Sequence, residues 1–375
     1  MAKTILAVTT LLGTIIGAGI FGIPYAIAKS GIIMGLIHII TIAAITAIVF
    51  LYLGEISLRT KGDHHLSGYA EKYLGKKGKM IMLLSTICGI YAAILAYLIG
   101  VGNSLSFLLF NNQNYSLQLG ITFWIIISIL SLRGLKALKE GEFIGASTVI
   151  IIIISMLFFF INKINFNNLT QLSNPTLLNY FSPFGVILFA FLGYSIIPEI
   201  KKVLANNRKE MKRSIILTIV ITTIIYITFT FIVIGISGKN TPKIATISLG
   251  KPFILLGIIT MFNAYFALSV ALIDALSFDF NQSKIKSWLY TTIIPIMLFI
   301  ILTLTNSADF TKVIGIGGVI SGGLTSILIL VMINKAKILG DRHPEYSIPT
   351  SKILKFILIT IFILGTTMEI LNFFI

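Results

Sequence analysis

Apolar runs recur along the whole chain, at 4–28, 32–57, 79–110, 119–136, 143–161, 183–204, 214–237, 252–278, 287–305, 311–334 and 352–374. Each approaches or exceeds the roughly 20 residues a helix needs to cross a hydrocarbon core about 30 Å thick. The pattern therefore predicts eleven transmembrane helices. The longest polar connections, 60–78, 162–182, 237–251 and 335–351, are too short to form a soluble domain. Function must lie in the helical bundle. Within the first connection, Leu66, Tyr69, Ala70, Tyr73 and Leu74 recur at helical spacing with Lys72, Lys76 and Lys77 on other faces, which predicts a short helix on the membrane interface or an ordinary connecting helix. The third run has about 32 residues, and at ~1.5 Å per residue its ~48 Å requires a strong tilt or a projecting end.

Composition agrees with this pattern. Of 375 residues, 56% are hydrophobic and 11% charged, against about 25% charged in soluble domains. The formal charge of +16 raises the possibility of a nucleic-acid surface, but the cations alternate by loop. Only Lys29, Lys163, Lys239, Lys243, Lys251 and Lys312 of the 29 Lys and Arg fall on the face opposite the N-terminus. That split follows the positive-inside rule and not a duplex-binding stripe. It predicts a multi-pass protein of the cell membrane, in contact with lipid and not with nucleic acid, whose N-terminus is cytoplasmic and C-terminus extracellular. Residues 1–28 imitate a signal peptide, yet Gly13, Gly17, Gly19, Gly22 and Pro24 interrupt the apolar run, so the segment is expected to be retained. A single cysteine, Cys88, excludes an intrachain disulfide or thiolate metal cluster.

The first and sixth runs are the most informative. Gly13-Thr14-Ile15-Ile16-Gly17-Ala18-Gly19-Ile20-Phe21-Gly22-Ile23-Pro24 and Phe189-Ala190-Phe191-Leu192-Gly193-Tyr194-Ser195-Ile196-Ile197-Pro198-Glu199 both put glycine and proline at mid-span. Glycine costs a helix about 1 kcal/mol and internal proline about 3, so clustering both where water is absent implies backbone released to bind something. Close packing or simple kinking is the plainer alternative. Positions one and six correspond if five helices repeat with inverted topology, and paired interruptions of this kind point to a transporter's central site. Freed N–H groups around Gly17, Ala18 and Gly19 would hold a carboxylate. Carbonyls near Thr14, Ile15, Phe189 and Ala190 would accept an ammonium, and Ile20 and Gly193 complete the two exposed segments. A zwitterion fits such a site.

Four carboxylates lie in or near spans. Glu55 precedes Arg59 by four residues, an economical ion pair. Glu199 stands in the first turn after Pro198, as a cap or a coupling group. Asp274, with Asn263, Tyr265 and Ser269 on its span, is the deeper candidate for protonation or gating. Glu369, near the end of the last helix, reads as peripheral. His38 is alone in a span, and His64, His65 and His343 lie in loops, so neither a metal site nor a cofactor is expected.

These segments resemble the amino acid permeases of the amino acid, polyamine and organocation superfamily, nearest the aromatic and hydroxy amino acid permeases. Gly13 to Pro24 is similar to their first-helix signature, Tyr69 to Gly78 to the loop after their second helix, and Tyr91 to Gly102 to their third. Phe189 to Pro198 with Asn206-Asn207-Arg208-Lys209 resembles the sixth helix and its following loop, and Ala271 to Leu276 the eighth. The resemblance implies an all-α integral membrane protein of the leucine-transporter type. Its two inverted five-helix repeats would be residues 1–165 and 166–337, with an extra helix at 338–375 and helices one and six broken. It implies that Gly17, Ala18 and Gly19 bind the substrate carboxylate, that Phe191, Tyr194 and Ser195 shape the side-chain pocket, and that Tyr97 assists. Departures are Ser195 where many members have Glu, no lysine in the fifth helix, and no adjacent hydroxyl pair in the eighth of the kind that ligates sodium.

The expected function is secondary active transport of an aromatic or bulky neutral amino acid by alternating access, coupled to protons rather than sodium, with Glu199, Asp274 and Glu55 as coupling or gating groups. An exchanger or sodium-coupled carrier of the same fold is the alternative. An intramembrane enzyme lacks a nucleophile and base at mid-depth, and a channel fits less well than a site that occludes a small solute.

Overall fold

The computed structural model describes residues 2–132, 151–152, 154–156, 158–170, 176–205, 207–280 and 282–374. Among the described residues there are helices and no strands, as expected where every backbone group in a bilayer must be bonded within its own segment. Eight helices among the described residues are long and apolar enough to cross a membrane, and a bent pair makes a ninth. The predicted span at 143–161 lies largely outside the described residues.

The first run divides into α1 (Ala2–Ile15) and α2 (Ile23–Ser30), bent by 48° across a short turn at Ala18–Gly22. α3 (Ile32–Arg59) follows directly, and α4 (Leu66–Phe110) merges the predicted interface helix with the third span. These two pieces of α4 are separated at Gly75, whose φ of 77° is left-handed backbone that a side chain disfavours. α5 (Ser116–Ser131) is a shorter apolar helix. The sixth run divides into α6 (Pro183–Ala190) and α7 (Ile197–Val203), each with proline in its first turn, where the missing N–H costs nothing. α8 (Met211–Ser237), α9 (Lys251–Asp279) and α10 (Lys284–Leu304) are continuous. α11 (Phe310–Gly317) and α12 (Leu324–Leu339) form one span joined by a widened turn at Gly318–Gly323, and α13 (Lys352–Phe374) is the last helix.

The two broken spans lie at the centre. α1 packs on α8 and α7, α2 on α3, α6 and α8, and the turn at Ala18–Gly22 meets α6, α9 and α11.

Polar groups fasten the N-terminal face. Glu55, with a side chain 0% exposed, accepts from Arg59 Nε at 2.9 Å, Ser347 Oγ at 2.9 Å and the Ile348 N–H at 2.8 Å, and Lys337 Nζ stands 3.5 Å away. The predicted Glu55–Arg59 pair is thus one edge of a network that draws the 340–351 connection under α3. Tyr346 Oη adds a bond to the Leu51 carbonyl, and Asp341 accepts from Lys72 and the Lys61 N–H. Lys201, which the sequence places among loop cations, is 4% exposed, and its Nζ donates to the carbonyls of Thr60 and Gly62 at 3.1 and 2.7 Å, closing the end of α3. Glu199 is half-exposed and paired with Lys202 at 2.9 Å.

On the opposite face, Lys243 Nζ meets Asp309 Oδ2 at 2.7 Å, and the other carboxylate oxygen caps α11 through the Thr311 and Lys312 N–H groups. Burial pushes the Asp309 carboxyl up, but Lys243 and the cap hydrogen bonds together hold it below its ordinary value, while Asp309 raises Lys243 against its own burial.

Two outcomes follow from these environments. Removing one partner of a buried ion pair costs about 3–5 kcal/mol whereas an exposed pair is worth about 0–1, so Glu55→Ala is expected to lower the thermal unfolding midpoint in detergent far more than Glu199→Ala. For the Lys243–Asp309 bridge, a depressed carboxylate stabilises above its unfolded value and loses that contribution as pH falls through the folded one. A raised lysine stabilises below its unfolded value and loses it at high pH. The destabilisation caused by Lys243→Ala should therefore stay constant from about pH 5 to 9 and disappear only below about pH 4.

Candidate functional site

The two helix breaks face each other and interlock. Gly19 lies against the end of α6, where a Cβ would come within 2.9 Å of Ala190 Cα and 3.0 Å of Phe189 Cδ1. Gly193 returns the contact, since a Cβ there would lie 2.6 Å from Ile15 Cγ1. At Gly19 only glycine allows the backbones this close, and at Gly193 only glycine leaves room for the Ile15 side chain.

Each break leaves main-chain groups open. After α1, Ile16 and Gly17 still donate to Leu12 and Ile15, but the N–H groups of Ala18 and Gly19, at the start of the next turn, find no backbone acceptor. After α6, Phe191 and Leu192 donate back to Ile187 and Phe189, and the N–H groups of Gly193, Tyr194 and Ser195 have none. The carbonyls behave differently. Tyr226, fully buried on α8, sends its hydroxyl to the Ala190 carbonyl at 2.6 Å and the Ile15 carbonyl at 3.2 Å. The last carbonyls of both first half-helices thus converge on one phenol, which has a single proton to share.

The aromatic side chains assigned to the site take different positions. Phe191 is buried against the Tyr226 ring, with centroids 5.0 Å apart. Tyr97 is 4% exposed and within electrostatic range of Tyr226, which brings α4 to the same point. Tyr194 turns away from the breaks, its hydroxyl 2.7 Å from Ser326 on α12 and its ring edge-on to Phe50 on α3. Ile20, Phe189 and Ala190 are buried, whereas Thr14 and Ser195 are exposed.

Accessibility is one-sided. A cavity of about 330 Å³ lies between the N-terminal half of α1 and the start of α8, lined by Thr4, Ile5, Val8, Thr9, Asn207 and Glu210 among others. From Thr9 the accessible side of α1 continues through Gly13 and Thr14 to Gly17, where a Cβ would meet nothing within 4 Å. The other half is sealed, with Ile23, Pro24, Ala26, Ile27, Ala28 and Ser30 of α2 buried. Asp274 on α9 is half-buried and has no ion pair or hydrogen bond among the described residues. On the same helix Asn263 Nδ2, Tyr265 Oη and Ser269 Oγ are buried without partners. No cluster of three or more metal-ligating side chains occurs among the described residues.

Tyr226 is not among the residues that the sequence singles out. Its signal is nevertheless there: Ser214, Thr218, Thr222, Tyr226 and Thr230 recur every fourth position through an apolar run, and all five are buried. Polar residues repeating at helical spacing inside a span mark a side turned toward protein rather than lipid.

Tyr226→Phe removes the donor from the Ala190 carbonyl and should destabilise by about 1–3 kcal/mol, the cost of an unpaired buried polar group. Gly193→Ala should cost about 1–3 kcal/mol by overpacking, and Ile15→Ala in the same chain should recover part of it. Thermal midpoints of the single and double variants check both expectations. Strictly additive losses for Gly193→Ala and Ile15→Ala would contradict the interlock.

Comparison with known proteins covers these segments. The model of the tryptophan/tyrosine permease family matches residues 1–248, which include both breaks and Tyr226. Tyrosine-specific transport system 1 of Haemophilus influenzae is 26% identical over 64% of this chain and 60% of its own length, so this chain spans under two thirds of that relative. Glutamine transporter 2 of Aliivibrio fischeri is 23% identical over 86% of both chains, and amino acid transporter AVT3A of Arabidopsis thaliana 22% identical over 80% of this chain and 74% of its own. Two helices broken at glycines and joined through one phenol lie within the matched residues, and the chain is a member of the tryptophan/tyrosine permease family.

Proposed function

We propose that this protein is a secondary transporter of amino acids that carries an aromatic or bulky neutral substrate by alternating access, driven by protons rather than sodium. The observation that carries the reading is the pair of facing breaks, with unpaired N–H groups on one side and shared carbonyls on the other. A zwitterion is the solute that uses both. Its carboxylate takes the open N–H groups of Ala18 and Gly19 and that of Gly17 once it leaves the Ile15 carbonyl, and its ammonium competes with the Tyr226 hydroxyl for the carbonyls of Ile15 and Ala190. Thr14 and Ser195 line the approach, Ile20, Phe189, Phe191 and Tyr97 shape the apolar part, and Gly193 and Tyr194 set the backbone of the second break.

The fold proposed is the leucine-transporter type. Two inverted repeats of five helices occupy residues 1–165 and 166–337, and an eleventh helix lies at 338–375. The N-terminus is cytoplasmic, the C-terminus extracellular, and the protein resides in the cell membrane. The accessible side of α1 then belongs to an inward-facing state. Names of relatives that specify tyrosine and glutamine transport support an amino acid as substrate. Among the carboxylates proposed for coupling or gating, Asp274 has no basic partner among the described residues and stands in the inner half of α9, which suits a gate, whereas Glu55 and Glu199 act through the ion pairs they hold.

The test is uptake into proteoliposomes. Labelled L-tyrosine or L-tryptophan should accumulate under an imposed proton gradient, with competition by all twenty amino acids strongest among bulky neutral ones. Gly19→Leu should abolish uptake, because a side chain there meets Ala190 and Phe189 at 3.0 Å or less. Undiminished uptake by Gly19→Leu would refute the site, and uptake that ignores ion gradients yet responds to internal substrate would make the protein an exchanger.

A further inference from the structure

The sequence alone places Glu369 at the periphery, and the structure reverses that reading. Its side chain is buried, 5% exposed, and Oε2 is enclosed without a hydrogen-bond partner. The carboxyl is wedged between two glycines of other spans. A Cβ at Gly315 of α11 would lie 2.0 Å from Oε1, and one at Gly185 of α6 would lie 2.8 Å from Cδ. The same glycines bring α6 and α11 together, since a Cβ at Gly185 would lie 2.5 Å from the Gly315 carbonyl and one at Gly318 would lie 2.1 Å from the Gly185 carbonyl. A side chain at Gly185 or Gly315 would fill the slot the carboxyl occupies.

No ion pair reaches Glu369 among the described residues. α6 carries no titratable side chain, nor does the turn at Gly318–Gly323. The other elements packed on α13 carry Tyr180 on the short helix Leu177–Phe181, Lys312 on α11, and Lys335 and Lys337 at the far end of α12. On α13 itself Lys352 and Lys355 stand in the first turn, four turns from Glu369. An unpaired anion inside a span is costly, and carboxyls retained there mark proton pathways. The backbone supplies the link to the breaks. Gly185 and Ala190 belong to one helix, five residues or roughly 7.5 Å apart, and Ala190 is where Gly19 and Tyr226 meet α6.

We propose that Glu369 is a proton-binding site which reports the position of the first half of the sixth span. While α6 and α11 close over it, the carboxyl holds a proton. When α6 withdraws with the Ala190 end, water reaches Oε2 and the carboxyl gives that proton to water, becoming a carboxylate. This rests on the transport reading above and deepens it, because movement at the substrate breaks and proton release share one rigid helix.

The full-length wild type and Glu369→Gln, reconstituted in proteoliposomes, provide the test. Glutamine keeps the shape of the neutral acid, so counterflow of labelled L-tyrosine without any gradient should stay within about twofold of wild type, whereas accumulation driven by a proton gradient should fall by about tenfold or more and lose its pH dependence. Infrared difference spectra of the wild type across neutral pH should contain a protonated-carboxyl stretch that Glu369→Gln lacks. Gradient-driven accumulation by Glu369→Gln equal to wild type, or an identical carboxyl band in both proteins, overturns the proposal. Wild-type counterflow without gradient-driven accumulation refutes proton symport separately, and the band still decides whether Glu369 binds the proton. Should the variant lose counterflow as well, a carboxyl band in the wild type upholds the proton site and its absence overturns it.

Discussion

A transmembrane helix cannot release its backbone hydrogen bonds unless something else in the protein takes them, because hydrocarbon offers no partner. Here the partner is one phenol. Tyr226 receives the terminal carbonyls of α1 and α6 on a single hydroxyl, and this contact lets two neighbouring helices stop halfway across the bundle. The close approach of Gly19 to Ala190 and of Gly193 to Ile15 depends on the same register. One phenolic proton is thus shared between the two terminal carbonyls, while several donors remain open among the described residues. The site is polarised before any solute arrives.

On the proposed reading, this polarisation is what would suit a neutral, doubly charged solute. No lysine or arginine side chain is needed for that beside the breaks, since free N–H groups at the start of a helical turn carry partial positive charge and the carbonyls that end a half-helix partial negative charge. The fixed charges are kept to the two faces, where they hold connections in place: Glu55 and Lys201 beneath α3 on one side, the Lys243–Asp309 bridge on the other. Both ends of the molecule are fastened by buried or half-buried polar contacts, and the middle is left to backbone.

The carboxylates show how environment sorts identical chemistry. Glu55 is enclosed but surrounded by donors, so it serves as an anchor. Glu199 is half-exposed beside a lysine. Asp274 is half-buried without a partner among the described residues. Glu369 is enclosed with one oxygen unpartnered and no ion pair among the described residues, between glycines that fit nothing larger than backbone. Residue type and depth in the sequence do not separate these four, whereas the neighbours brought by other helices do.

The periodic runs alone determined where helices form. A span needs a continuous apolar stretch, and the described helices lie within a few residues of those runs. The glycine and proline positions likewise announced both breaks, because the cost of those residues in a helix is local. Glu55 and Arg59 could be paired from spacing alone, being one turn apart. What the sequence could not decide was which distant groups meet. Tyr226 stands 211 residues from Ile15, Lys201 is 141 residues from Thr60, and Glu369 slots against glycines of two other helices. Tyr194, read as part of the pocket, turns instead to Ser326. Such contacts depend on how helices rotate and cross when they pack, which is a property of the assembled bundle and not of any single segment.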